Sequence, residues 1–431
     1  MTIIERLRQY KELDPHKIAL IVDDKKYTYG DLYDAILSID INDTSRIVNV
    51  AQTKESPKHI VALIQSQSFV KQLVQWLGVL YTGYIPMVCH NEMDTEYVEE
   101  LARIIAYKGV APLADFGVLT SGTTGRPKPL WRSESSWREF FDIQNDIFHI
   151  NKDTRIFLHG SFSFTGVSNM VIAVLWSGGT VITTSSLRPN RWIQLIEEYH
   201  VDHIYALPTK LRLLVRHCKS KVDSINYIIA GSQVLDRQLM EQLERICPNM
   251  EFILYYGATE LNYITYCTGK EWLDREGTVG RPFPSVRIEE QNGVIYVTTK
   301  HHIEGIPDTY TVNDCGHIDR DGYLMFNGRQ GDVINKGGYK ISIPEMELYL
   351  QSLQGVSEVA VITIHDDIRG EDFVAYMVLE DNTELSKIIE IIHHERPSVE
   401  WPKAILEIPM LPLTECSKVD KRKLKEWYNK G

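Results

Sequence analysis

Residues 119–129 read LTSGTTGRPKP, in which Thr120, Ser121, Thr123 and Thr124 are interleaved with Gly122 and Gly125 and followed by Lys128. Hydroxyls and exposed backbone N–H groups wrap phosphate oxygens, glycine lets the backbone approach them, and a lysine adds positive charge. The spacing is not that of the GxxxxGKS/T nucleotide loop, so composition alone fits an ordinary polar loop as well. Three further side chains have chemistry to offer. Glu260 closes the segment YYGATE, where a carboxylate at a strand end can hold Mg2+ beside phosphates or merely start a surface helix. Asp314 lies in the turn-rich NDCGHIDRDG, where a carboxylate can accept hydrogen bonds from both vicinal hydroxyls of a ribose or cap a turn. Lys418 belongs to a basic tail, KVDKRKLKEW, in which any one lysine is by default a solvated charge.

The elements that must hold these residues alternate regularly. From Arg46 onward, the β-rich runs RIVNVA, YIPMVC, FGVLTS, TRIFLHG, TVITT, HIYALP, NYIIAG and FILYYG are interspersed with helix-like segments such as FVKQLVQWLGVLYTG, EYVEELARIIAYKG, RWIQLIEEYH and RQLMEQLERIC. That rhythm predicts an α/β fold with a large N-terminal layered body of mostly parallel sheets. The stretch PFPSVRIEEQNG reads as a linker, since Pro282 and Pro284 break any helix. After Gly328 come a hairpin-like GDVINKGGYKIS, a helical IPEMELYLQSL, the strands EVAVITI and DFVAYMVL and a helical SKIIEIIHHE, which together predict a small α+β C-terminal domain. The two expected domains are residues 1–329 and 330–431.

Asp and Glu (58) outnumber Lys and Arg (46), a net charge of −12 that leaves no electrostatic footprint for nucleic acid and requires any anionic ligand to be held locally. No run reaches the roughly 18 apolar residues of a membrane span. The charged start MTIIERLRQYKEL lacks the apolar centre of an export signal. The six cysteines, Cys89, Cys218, Cys247, Cys267, Cys315 and Cys416, stand at least 20 residues apart, without the close pairs of a zinc or redox centre, and read as reduced thiols of a cytoplasmic protein.

LTSGTTGRPKP resembles the phosphate-loop signature of the adenylate-forming superfamily, which includes acyl-CoA synthetases, aryl-acid ligases, luciferases and peptide-synthetase adenylation domains. Further segments resemble that family's elements in the same order: YYGATE (255–260), GTVGRPFP (277–284), NDCGHIDRDGYLMFNGR (313–329), INKGGYKISIPEMEL (334–348) and LPLTECSKVDKRKL (411–424). The resemblance covers essentially the whole chain. It implies that Thr120, Ser121, Gly122, Thr123, Thr124, Gly125 and Lys128 wrap phosphate, that Thr259 contacts phosphate and that Glu260 holds Mg2+. It implies that Tyr256, between Tyr255 and Gly257, lies against adenine, with Gly231, Ser232 and Gln233 across the base, and that Asp314 takes the ribose with Arg329 as a second contact. Lys418 would bridge the substrate carboxylate and the α-phosphate as charge builds, acting with Thr259 and Glu260. Two departures stand out: Ser417 replaces the glycine that usually precedes the lysine, and the hinge position, usually Asp or Lys, is Gly331. Gly337 and Gly338 would flank the path of a pantetheine thiol.

HGSFSFTGVSN (159–169) resembles the family's acid-binding segment, with Phe162, Ser163 and Phe164 where many relatives carry a gating His or an acid-anchoring Asn. No acidic residue occurs from Thr154 to Thr184, so the α-ammonium of an amino acid would stay unpaired, at a cost. The expected substrate is an aryl or aliphatic acid without that amine. Phe162, Phe164, Trp176 and Tyr263 are candidate walls of an apolar pocket, or plain core. The resemblance implies an ATP- and Mg2+-dependent acid:CoA ligase that forms an acyl-adenylate and then a thioester on coenzyme A or phosphopantetheine. Its alternatives are a free-standing ligase that loads a carrier protein and a degenerate, non-catalytic binder of nucleotide or acyl-adenylate. Only about 30 residues separate YIPMVC from the phosphate loop, a trimmed first subdomain whose edge strands a second copy would cover in a homodimer.

Overall fold

The computed structural model describes residues 1–50, 60–91, 93–120, 127–231, 235–329, 332–414 and 418–430. Six parallel strands form the middle of a nine-stranded sheet, in the order Ile18–Val22, Thr180–Thr183, Arg155–Leu158, His203–Tyr205, Tyr227–Gly231 and Glu251–Ala258. These strands are covered on both faces, which is why they are near-continuous apolar runs rather than alternating ones. Antiparallel strands close the edges: Lys25–Thr28 on one side, Asn262–Thr268 and Arg281–Pro282 on the other. The pattern therefore begins earlier than Arg46, because the hairpin around Asp23 and Asp24, both at positive φ, joins the large sheet.

A second sheet orders Arg46–Asn49, Ile60–Ile64, Ile85–Val88, Phe116–Leu119 and Pro129–Arg132, with its middle three strands parallel. Helices Phe69–Tyr81, Ser135–Ile147 and Thr165–Ser177 fill the space between the two sheets, where Trp76, Trp137, Phe140 and Phe141 meet Leu158, Ile229 and Phe116 in one core. The helix Thr165–Ser177 is apolar all round and buried along Met170–Leu175, as a central helix must be. On the other face of the large sheet pack Pro189–Glu198, Pro208–His217 and Arg237–Ile246.

The expected linker is only partly one. Its centre, Arg287–Gln291, is a strand of a third, antiparallel sheet with Val294–Thr298, Asp314–Ile318, Leu324–Arg329 and the short Thr309–Tyr310. Residues after 332 build a fourth sheet from Val333–Lys336, Tyr339–Ser342, Val356–Asp366, Gly370–Leu379 and Ala404–Glu407. Helices Ile343–Ser352 and Leu385–Glu395 cover one face of it and Lys421–Lys430 the other. The architecture is thus a large layered α/β body followed by a small α+β unit. Among the described residues, no helix is long and apolar enough to cross a membrane.

Candidate active site

A cavity of about 960 Å3 is bordered by residues from separate parts of the chain: Thr120 and Lys128, Thr165, Gly166 and Asn169, Tyr255 and Gly257 to Glu260, Arg329 and Lys418; Tyr256, expected against adenine, is not among them. Thr120 follows the strand Phe116–Leu119, and Thr259 and Glu260 follow Glu251–Ala258. Both positions lie beyond the carboxyl ends of sheet strands, where open α/β folds bind ligands.

Phe116–Leu119 and Pro129–Arg132 are antiparallel neighbours, so the two ends of LTSGTTGRPKP are brought side by side. These ends are tied twice: Thr120 N–H donates to the Lys128 carbonyl at 3.1 Å, and Lys128 N–H donates to Thr120 Oγ1 at 3.0 Å. Ser121, Gly122, Thr123, Thr124 and Gly125, between these anchors, lie outside the described residues, as do Ser232, Gln233, Gly331 and Ser417.

The turn Thr259–Glu260 is fixed by a side chain that sequence reasoning missed. Arg132, fully buried, donates through one guanidinium nitrogen to the Thr259 carbonyl at 2.8 Å and through the other to the His301 carbonyl and Ser136 Oγ, both at 3.1 Å. Burial pushes its pKa down to about 9 against the opposing pull of Glu260 and Glu304, so it is charged at neutral pH. The Glu260 carbonyl in turn accepts from Ile303 N–H at 2.9 Å.

Asp314 is buried at the start of its strand, directly across from Arg329. Arg329 Nε donates to Asp314 Oδ1 at 2.6 Å, and the Tyr256 hydroxyl donates to Oδ2. Burial opposes the Arg329 charge, yet Asp314 beside it holds the guanidinium above its usual range. Tyr256 is pushed far up by burial and by the same carboxylate. Gly231 pairs with Tyr255, whose hydroxyl lies 2.6 Å from that of Tyr205.

The expected acid segment is placed differently. Phe162 is core, packed edge-on against Phe69 and Trp76. Ser163 Oγ lies 2.9 Å from His90 Nδ1, and Phe164 stacks on the His90 ring at 4.9 Å. None of the three borders the cavity, because the helix begins only at Thr165; Thr165, Gly166 and Asn169 take that place. Tyr263 does border it, whereas Trp176 packs against Phe141 and Arg6. Burial pushes His90 down to about 4, so this imidazole is neutral at pH 7.

Lys418 reaches the same cavity on a loop whose ends are tied together, Thr414 N–H donating to the Lys418 carbonyl at 2.7 Å. Gly337 and Gly338 form the two-residue turn between Lys336 and Tyr339, with φ of 63° and 95°. Two successive positive φ values define a type I′ hairpin turn, which by itself calls for glycine at both positions. This turn does not border the cavity.

Thr120, Lys128, the Thr259–Glu260 turn, Arg329 and Lys418 border one cleft beyond the carboxyl ends of sheet strands, a set of hydroxyls, cations and one carboxylate suited to a polyanionic nucleotide and its counter-ion; Asp314 stands behind Arg329 and does not itself border the cleft. Residues 116–295 match the family described as AMP-binding enzyme, and residues 345–418 match the AMP-binding enzyme C-terminal domain. The chain belongs to the adenylate-forming superfamily, of the acyl-CoA synthetase and aryl-acid ligase type. It is 27% identical over 329 residues to the uncharacterized acyl-CoA ligase YhfT of Bacillus subtilis, covering 72% of this chain and 68% of that one. It is 24% identical over 474 residues to the putative long chain fatty acid-CoA ligase VraA of Staphylococcus haemolyticus, covering 100% and 99%. The fold matches the solved structure of the Bacillus subtilis O-succinylbenzoate coenzyme A synthetase in complex with ATP and magnesium, with a TM-score of 0.81, 18% identity and 97% and 99% coverage.

Proposed function

We propose that the acid activated by this AMP-forming ligase is an aryl or aliphatic acid without an α-amino group, and that coenzyme A accepts the acyl group. What carries this reading is that Lys418, from the far end of the chain, borders one cavity with Lys128, Thr259 and Glu260. A carboxylate oxygen of the acid attacks the α-phosphorus of ATP and pyrophosphate leaves; the thiolate of the acceptor then attacks the acyl carbon and AMP leaves. Lys128 and Lys418 offset negative charge on the phosphates and on the attacking carboxylate, and Arg132 holds the Thr259–Glu260 turn in place. The oxygen donors Thr120, Thr259 and Glu260 suit a hard cation. Among the described residues no group of three metal-ligating side chains exists, so Glu260 would hold Mg2+ together with phosphate oxygens and water. When bound, Mg2+ neutralises phosphate charge.

Of the described residues bordering the cavity, only Glu100 and Glu260 are carboxylates, and neither belongs to the helix Thr165–Ser177, so an ammonium beside that helix would lack a partner. Division of the chain at residues 329/330, with rotation about Gly331, would exchange Lys418 for the Gly337–Gly338 turn between the two half-reactions. Cysteines that stand far apart in the sequence, without close pairs, favour a reducing compartment such as the cytoplasm. Acid-dependent pyrophosphate release, measured over a panel of acids, tests the first step. Acyl transfer to free coenzyme A against a holo carrier protein tests the acceptor, and exclusive transfer to the carrier protein would overturn the choice of coenzyme A.

A further inference from the structure

The helix Thr165–Ser177 brings to the cavity wall a polar group with nothing to bind. Asn169 is 2% exposed, and neither its Nδ2 nor its Oδ1 has a hydrogen-bond partner among the described residues, yet it borders the cavity. Thr165, one turn earlier on the same helix face, also borders it, and its Oγ1 likewise has no partner. Phe164, which precedes the first helical residue Thr165, gives the helix no side-chain cap, so its first backbone N–H groups add donors at the same place. Gly166 lets this helix end approach closely, since a Cβ there would lie 2.6 Å from Tyr205 Oη.

A buried amide with both its donor and its acceptor unused is costly, and an apolar side chain of similar size would remove that cost. Its presence calls for a ligand group that both donates and accepts. The described cations around the cavity, Lys108, Lys128, Arg329 and Lys418, belong to other segments, so nothing in the helix start balances a second anionic charge. Tyr255 and Tyr263 supply aromatic walls. Behind Asn169 the helix is sealed in the core from Met170 to Val174, which leaves no channel for a long hydrocarbon tail along it.

We infer that the acid substrate is compact and bears a hydroxyl on the part remote from its carboxylate, and that Asn169, with Thr165, selects for that hydroxyl. This deepens the ligase reading and rests on it. The test uses the full chain with ATP and Mg2+ and measures pyrophosphate release with matched acids: benzoate against its 2-, 3- and 4-hydroxy forms, and hexanoate against 6-hydroxyhexanoate. For at least one pair, the hydroxylated acid is expected to show kcat/KM about 10- to 100-fold above its parent, the worth of one buried hydrogen-bonding site. In Asn169→Leu that ratio should collapse to within about threefold of unity, and Asn169→Ser, which creates no overpacking, should lower it as well. A wild-type enzyme that prefers the unsubstituted acid in every pair overturns the inference, as does a hydroxyl preference that both variants retain; either result would make the amide the site of an ordered water only. Pyrophosphate release with no acid at all would take down the ligase reading, and the inference with it, whereas release indifferent to the hydroxyl takes down the inference alone.

Discussion

Arg329 Nε meets Asp314 Oδ1 at 2.6 Å across the last rung of an antiparallel pair, immediately before the chain passes into its C-terminal unit. The Tyr256 hydroxyl takes the other carboxylate oxygen, so three side chains from two sheets converge on one buried charge. Asp332 Oδ2 accepts from Arg329 N–H at 3.2 Å and extends this link past the junction. A carboxylate held in this way is a preoriented acceptor, with lone pairs left for further donors.

Asp314→Ala should therefore weaken ATP binding. A hydrogen bond to a charged group is worth roughly 1.5–3 kcal/mol, which corresponds to a rise of about 10- to 150-fold in the ATP dissociation constant. Titration calorimetry measures it directly. A change within about twofold would leave Asp314 only the anchor of Arg329 and Tyr256.

Arg132→Met should destabilise the protein and impair adenylation together. The substitution keeps much of the volume but leaves the Thr259 and His301 carbonyls without their donor inside the protein. Two unsatisfied buried groups cost about 2–5 kcal/mol, visible as a lower denaturation midpoint. Adenylation by the folded fraction should also drop at least about tenfold, because the Thr259–Glu260 turn loses its brace. Arg132→Lys should not restore the rate, since an ammonium lacks the fork that reaches Thr259 and His301 at once. Full activity in Arg132→Lys would show that only the charge matters.

Arg132 and His90 were not legible in the sequence, and the reason is geometric. Each acts through contacts with residues far away along the chain, Arg132 with Thr259 and His301, His90 with Ser163. No local pattern marks them. Thr120, Lys128, Glu260 and Lys418 were legible because their chemistry sits in short motifs of characteristic composition, and the structure brings all four to one cavity. The parallel strands were legible for a related reason: strands covered on both faces are written as apolar runs. Arg287–Gln291 was not, because only Ile288 of its five residues is buried and two prolines precede it. Phe162, Ser163 and Phe164 were misplaced because the helix start was unknown; once the helix begins at Thr165, the next turn, not the preceding loop, borders the cavity.

Acid should destabilise the protein through its buried imidazoles. Burial lowers His90 to about 4 and, with Lys210 nearby, His159 to about 3. Both folded-state values lie below the unfolded value near 6.5, so the stability associated with the neutral rings is complete above pH 6.5 and is lost as pH falls toward 4. At pH 5 each imidazole should cost about 2 kcal/mol relative to pH 7. Urea denaturation at the two pH values should show the combined loss, and His90→Asn, which keeps a polar atom near Ser163, should recover about half of it. An identical pH slope in His90→Asn would mean that His90 protonates in place without penalty.

Lys418→Ala should slow adenylation while leaving ATP binding nearly unchanged. Lys418 is tied by hydrogen bonds to Thr414 and borders the same cavity as Thr120 and Lys128. The residues assigned to ATP lie chiefly within 1–329, so losing one contact from the small unit should alter its dissociation constant by less than about threefold. As the carboxylate gives up its charge to the new bond, negative charge builds on the α-phosphate oxygens and the leaving pyrophosphate, which is where a compact cation contributes most. Removing one preoriented charge contact of this kind typically lowers the rate by about 10²- to 10³-fold. Acid-dependent pyrophosphate exchange should fall by that factor, and Lys418→Arg should recover little of it, because the bulkier planar group cannot occupy the position of the ammonium. An exchange rate in Lys418→Ala equal to that of the wild type would remove Lys418 from the chemistry and leave it a lysine that happens to border the cleft.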